Sequence, residues 1–267
     1  MKSINKTLDL WVWPLVAVLA YLAFQLIGQF IVSTVAFMSA GGGNMDYVEV
    51  AAWTMAVSTF CVSVVLLILK PFHIYKEFRI WLCDNWKAFL GVFIVMLAIV
   101  GSNMMNEILE EWTGLEMDKE YQQLFEGILE TPVGCVAIGF LGQICEEVVF
   151  RGGIMKPMIE RNVRPWIPIV VSAMIFGLAH GNLTQIIFAT CVGLVFAIVY
   201  YRTRSLIITT VCHIANNSLS VLLMKSSDNY ADIKLSDYIG FWPLVVAFVI
   251  ILALTIILTI HFWKQTE

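Results

Sequence analysis

The stretch GFLGQICEEVVFRGGIM, residues 139–155, sets two adjacent acids and an arginine inside an otherwise apolar run. Extended back to Pro132, the run has the roughly 20 residues a helix needs to cross a hydrocarbon core. A charge at that depth costs at least about 2.5 kcal/mol, so ionisable residues there are read as functional. Helical spacing separates the roles of Glu146, Glu147 and Arg151. Glu147 and Arg151 lie four apart with the acid first, the favourable order for an ion pair along one helix face. Glu146 is turned about 100° away and has no basic partner at helical spacing. Its face carries Gly139, Gly142 and Gly153, small residues that suit either a cavity or close helix packing. One carboxylate therefore reads as structural and the other as available for chemistry.

The rest of the 267-residue chain gives that stretch its setting. Sixty per cent of the residues are apolar and 13% are charged, with a mean hydropathy of +0.83, whereas a soluble domain carries roughly 25% charged residues. That apolar content amounts to about eight spans of roughly 20 residues. Soluble domains, secreted disulfide scaffolds and disordered chains are excluded, and a net charge of −4 argues against nucleic acid as a partner. The six cysteines (61, 83, 135, 145, 191, 212) fall mostly in apolar runs without framework spacing. They read as small buried residues. The expected fold is all-α: a polytopic protein of the cell membrane, with about eight transmembrane helices around a polar intramembrane cavity and the lipid bilayer as its surroundings. The apolar segments run near Leu10–Phe37, Val48–Leu69, Ala88–Met104, Pro132–Met155, Trp166–His180, Leu183–Tyr201, Leu206–Met224 and Tyr238–Trp263. Barrel strands are excluded because their two-residue alternation is absent. The first segment reads as an uncleaved anchor, being too long for a signal peptide and lacking a clear small-x-small site.

Basic residues set the orientation. Lys2 and Lys6 precede the first segment. Lys70, Lys76, Arg79 and Lys87 follow the second, Lys156, Arg161 and Arg164 the fourth, and Arg202 and Arg204 the sixth. The loop after the first segment has no Lys or Arg, and the loop after the third holds Glu107, Glu110, Glu111, Glu116, Asp118, Glu120 and Glu126 against Lys119. Both termini are therefore expected in the cytoplasm. No linker or repeat divides the chain. Residues 1–129 are read as N-terminal helices, 130–222 as a catalytic core and 223–267 as a C-terminal helix, all within one membrane unit. Two loops are amphipathic. His73–Lys87 suits the cytoplasmic interface, and Met117–Leu129 reads either as a lid over an outward mouth or as an interfacial helix.

Polar residues recur in two further segments. His180 ends FGLAHGN, while His213 and Asn217 lie four apart in CHIANN and share a helix face. His73 and His261 read as ordinary surface residues. A carboxylate and an imidazole together can orient and deprotonate a water, and a second imidazole with an amide NH2 can donate to a developing oxyanion. The set suffices to hydrolyse an amide bond. The same residues could instead bind Zn2+ or another divalent metal, although HExxH is absent. Two other readings are a proton-coupled transporter using Glu146, Glu147, His180 and His213 as a relay, and a non-catalytic immunity or scaffold protein of the same fold.

These residues resemble the motifs of the CAAX protease and bacteriocin-processing (CPBP, or Abi) family of intramembrane proteases, which includes the type II CAAX prenyl endopeptidases. The motifs EExxxR, FxxxH and HxxxN stand in order as Glu146-Glu147-Val-Val-Phe-Arg151, Phe176-Gly-Leu-Ala-His180 and His213-Ile-Ala-Asn216-Asn217. Tyr201–Leu206 is similar to the turn that precedes the last motif in the family. The resemblance covers residues 130–222 and implies an intramembrane (metallo)endopeptidase acting on a membrane-associated, prenylated or otherwise processed protein or peptide. By that resemblance Glu146 and His180 activate the attacking water, His213 and Asn217 stabilise the oxyanion, and Glu147 with Arg151 is the supporting ion pair. An arrangement with Glu146, His180 and His213 on zinc and Glu147 as base stays open, at the expense of leaving Arg151 unpaired.

Overall fold

The computed structural model describes residues 2–39, 46–68, 85–114, 119–226 and 234–265. They form helices α1 (Lys2–Ser39), α2 (Tyr47–Ile68), α3 (Asn85–Thr113) and α4 (Lys119–Glu130), then α5 (Pro132–Glu160). The remainder are α6 (Trp166–Leu178), α7 (Leu183–Thr203), α8 (Leu206–Ser226), a short α9 (Ser236–Ile239) and α10 (Phe241–Gln265). All eight apolar segments are helical. Six of them, α1, α2, α3, α5, α7 and α10, are long and apolar enough to cross a membrane. The other two, α6 and the Leu206–Leu219 part of α8, are shorter apolar helices. The 13 residues of α6 span roughly 20 Å, against a hydrocarbon core of about 30 Å. The protein is thus a multi-pass, all-helical integral membrane protein; of its two short apolar helices, α6 ends two residues before His180 and α8 carries His213 and Asn217.

Hydropathy alone ends the third segment near Met104, yet α3 continues to Thr113. Its last turns hold Glu107, Glu110 and Glu111, and Asn106 Nδ2 donates to Glu110 Oε1 at 2.9 Å. Glutamate is a good helix former, so the helix outlasts the apolar run. Most of the expected interfacial helix at 73–87 lies outside the described residues, as do residues 117 and 118. The rest of the second amphipathic segment is α4. Its Ile128 and Leu129 pack with Ala52 of α2, Ile138 of α5 and Val221 of α8, so its apolar face is docked on protein.

α5 is central: 61% of its apolar window is buried, against 11% for each of the outer helices α1 and α10. It packs against α1, α2, α6 and α8, while α3 lies against α7 and α10. One core cluster joins Ala17 of α1, Leu66 of α2, Ile154 and Met155 of α5, Phe176 of α6 and Tyr200 of α7. A second joins Ile94 of α3, Phe196 of α7, Cys212 of α8 and Phe262 of α10. Without water between them, membrane helices associate through close backbone approach and hydrogen bonds. Gly153 shows the first: a Cβ there would sit 2.7 Å from the Ala17 Cβ, so the α5 backbone lies directly against the Ala17 methyl of α1. Gly139 shows the second, its carbonyl accepting from Ser218 Oγ at 2.9 Å. Two of the three glycines on the Glu146 face are therefore packing contacts.

α5 is not a regular α-helix. Ala137–Leu141 and Val148–Met155 are π-helical, with the α-helical section Gly142–Glu147 between them. Such widened turns are frequent at functional sites. Here the acid pair ends the regular section, immediately before the wider turns begin. Ser172 Oγ of α6 donates to the Phe150 carbonyl at 3.0 Å and anchors that π-helical section to its neighbour. Asn182 caps α7 by accepting from the backbone N–H groups of Thr184 and Gln185 at 3.0 and 3.4 Å. Gly181, at φ +72°, makes the left-handed turn that lets α6 fold back into α7 just after His180.

Candidate active site

Glu147 and Arg151 form the ion pair their spacing predicts. Both side chains are fully buried, with Arg151 Nε 3.4 Å from Glu147 Oε2. Arg151 Nη2 also donates to the Gly193 carbonyl of α7 at 3.2 Å. The guanidinium lies over the rings of Phe176 and Phe196, 4.8 and 5.5 Å from their centroids. Desolvated cation–π contacts of this kind contribute about 2 kcal/mol. They help compensate a charge whose Nε and Nη1 find no hydrogen-bond partner among the described residues.

The other oxygen of Glu147 reaches a different helix. Oε1 lies 3.2 Å from His213 Nδ1, and the Thr209 hydroxyl is within hydrogen-bonding reach of the same carboxylate. A carboxylate engaged with arginine only accepts, so Nδ1 carries a proton and donates to it. Nε2, on the far side of the ring, faces Glu146 Oε2 at 3.6 Å. That is beyond the usual range of about 2.7–3.2 Å for an N–H···O hydrogen bond, and is a contact that an incoming oxygen could share. His213 thus stands between the two acids. Phe176 and Phe196 hold its ring at centroid distances of 5.7 and 5.1 Å. Glu147 is wholly enclosed, whereas the Glu146 side chain is 24% exposed. The two neighbouring acids thus differ in their exposure.

His180 sits at the end of α6. Its Nδ1 lies 2.9 Å from the Phe176 carbonyl, and since a carbonyl only accepts, Nδ1 carries the proton and Nε2 is left as the basic nitrogen. Its ring packs edge-on against Phe176 at 5.0 Å, so Phe176 touches both histidines. Asn217 is half-buried, and its Oδ1 accepts from Asn216 Nδ2 at 2.9 Å, which turns the Asn217 amide nitrogen toward other partners. The structure brings Glu146, Glu147, Arg151 and His213 into direct contact. Among the described residues no hydrogen bond or ion pair joins His180 to Glu146.

No group of three or more His, Cys, Asp or Glu side chains among the described residues is placed to hold a metal ion. Glu147, the base in a zinc arrangement, is instead committed to Arg151 and His213. The residues do not fit a three-ligand zinc site, and no step below is routed through a metal. A groove of about 600 Å³ between α1 and α2, lined by Ile31, Val35, Asp46, Glu49 and Trp53 among others, contains none of the site residues. Sequence reasoning missed Gly193, Phe196 and Thr209. The first two lie in an uncharged segment and meet Arg151 only across the α5–α7 interface. Thr209 had a usable signal, lying one turn before His213.

The fold and this cluster define a membrane-embedded protein with a buried acid–histidine cluster on α5 and α8. Residues 129–219 match the family described as type II CAAX prenyl endopeptidase Rce1-like. A protein of Bacillus subtilis (strain 168), described as "Putative membrane peptidase YdiL", is 25% identical over 207 residues, covering 73% of this chain and 82% of the relative. The "Membrane-embedded CAAX protease MroQ" of Staphylococcus aureus (strain USA300) is 25% identical over 226 residues, covering 80% of this chain and 89% of the relative. No solved structure gives a significant match. All three motifs lie inside the matched stretch, and over it the chain is similar to the CAAX-type membrane proteases.

Proposed function

We propose that the protein is an intramembrane endopeptidase that hydrolyses a peptide bond of a membrane-associated protein or peptide, with prenylated or otherwise processed chains as the substrate class. The observation that carries this reading is His213 held between an enclosed carboxylate and a partly open one. Glu146, aided by the basic Nε2 of His180, takes a proton from a water as its oxygen attacks the scissile carbonyl. The carbonyl π electrons move onto oxygen, where His213 and Asn217 Nδ2 donate hydrogen bonds. To donate from Nε2, His213 carries a second proton, and carboxylates at both of its nitrogens balance that charge. When the oxyanion collapses, the C–N bond breaks and the amine leaves with the proton first taken from water. Glu147 and Arg151 hold the imidazole in place throughout.

By the Lys and Arg bias, the C-terminal end of α5 faces the cytoplasmic side. The relay reading loses one of its members, because Glu147 is sealed by Arg151 and has no access to solvent. The test is a comparison of membrane proteomes carrying wild type or Glu146→Gln. One protein accumulating uncleaved in the variant supports the assignment and identifies the substrate. Identical proteomes, with the variant inserted normally, overturn it.

A further inference from the structure

Gln143 is 2% exposed, and its amide oxygen Oε1 has no hydrogen-bond partner among the described residues. A buried acceptor left unmade bears its full desolvation penalty, and an apolar side chain of similar size would avoid it. Its position suggests what the oxygen is kept for. Within the α-helical section Gly142–Glu147, residue 143 is about 40° around the axis from Glu147 and about 60° from Glu146, one turn earlier. Both carboxylates point at His213. Cys145, on the opposite side of the helix, packs in the cluster that includes Val62 and Leu66 of α2.

The helix register fixes the depth. Gly139 meets Ser218 and Glu147 meets His213, so α5 and α8 run antiparallel. Gln143 lies midway between those contacts, on the side of α5 toward α8 and at about the level of Ala215 and Asn216. We propose that Gln143 is a substrate-positioning residue, its amide oxygen accepting a backbone N–H of the peptide segment bound at the Glu146 site. An extended peptide presents carbonyl and N–H groups by turns, at about 3.3 Å per residue. A site that offers donors to the scissile carbonyl gains register and direction from an acceptor one peptide unit away. The neighbouring acceptors are the two carboxylates, which are committed to Arg151, His213 and the water. Gln143 supplies a neutral one.

This inference rests on the peptidase reading, and its test separates the two. The probe is the protein that accumulates uncleaved in Glu146→Gln membranes, purified and offered to wild type and Gln143→Leu in detergent. KM is expected to rise about three- to tenfold, the effect of one neutral hydrogen bond, with kcat within about twofold. The thermal midpoint is expected at or above that of wild type, because an unmade buried acceptor has been removed. A lower midpoint makes Gln143 a structural residue and overturns the proposal, as does an unchanged KM or a loss confined to kcat. If Gln143→Leu does not insert, Gln143→Met, unbranched and of similar length, is read by the same criteria. No accumulating protein in the Glu146→Gln membranes overturns the peptidase reading and this inference with it; accumulation there with an unchanged KM in the Gln143 variant overturns the inference alone.

Discussion

Replacing Glu147 with glutamine isolates what the enclosed carboxylate does. The substitution keeps the volume and an amide oxygen for His213, and removes the charge opposite Arg151. At 3.4 Å a pair of unit charges attracts by about 5 kcal/mol at an effective dielectric of about 20. The arginine is left with one carbonyl and two ring faces. Breaking a buried pair from one side costs about 3–5 kcal/mol, a large part of a total stability of about 5–15 kcal/mol. Glu147→Gln and Arg151→Met should each lose stability in that range. The double variant removes both charges, and neutral replacements of similar volume are often no less stable than the pair. Its loss should stay below about 1 kcal/mol, a coupling that distant residues do not show. The assay is equilibrium unfolding in mixed micelles, followed by the fluorescence of the chain's nine tryptophans. Activity should part company with stability. The double variant regains its fold but offers His213 Nδ1–H only a neutral acceptor, and losing a charged hydrogen bond of about 1.5–3 kcal/mol lowers cleavage about 10- to 100-fold. A Glu147→Gln variant that loses under about 1 kcal/mol, or a double variant as unstable as the two singles summed, refutes the reasoning.

Three further outcomes are expected. His180→Ala removes the basic Nε2 and should lower kcat about 10²- to 10⁴-fold, the usual contribution of a positioned general base, with a thermal midpoint close to that of wild type; full cleavage by this variant would remove His180 from the mechanism. Gly153→Val drives a side chain into Ala17 and should cost about 1–3 kcal/mol by overpacking, with Ala17→Gly recovering part of the loss in the same unfolding assay. Asn216→Asp replaces the group that donates to Asn217 Oδ1 with one that only accepts, which draws Asn217 Nδ2 away from the oxyanion. It should lower kcat more than Asn216→Ala does, with KM little changed, and the reverse order would show that the Asn216 contact does not orient the amide.

What could be read from the sequence follows the distance over which each feature is decided. Apolar runs announce helices without outside help, so all eight segments are legible as apolar helices, six of them long enough to cross a membrane. Their ends were misjudged where a strong helix former outlasted the apolar run, as Glu107, Glu110 and Glu111 do in α3. The Glu147–Arg151 pair is also local, four residues on one helix, and it survives the π-helical turns that follow Glu147. Those turns have no residue-type signature and were not expected. The contact between His213 and Glu147 crosses 66 positions in the chain. It depends on α8 lying antiparallel to α5, which neither segment reveals alone.

The same distinction governs how the two histidines share the chemistry. Motif order names both but does not say which stands beside Glu146, and the structure gives that contact to His213. His180 is left with a proton fixed on Nδ1 by the Phe176 carbonyl and a lone pair on Nε2. His213 has its Nδ1–H fixed by Glu147 and its Nε2 turned to Glu146. With Nδ1 protonated in both rings, it is the partner at Nε2 that distinguishes them. His213 has a carboxylate near each ring nitrogen, whereas Nε2 of His180 has no such partner among the described residues. The proposed division of roles rests on that asymmetry. The decisive residue is Glu147, whose place in the chain reads only as half of an ion pair.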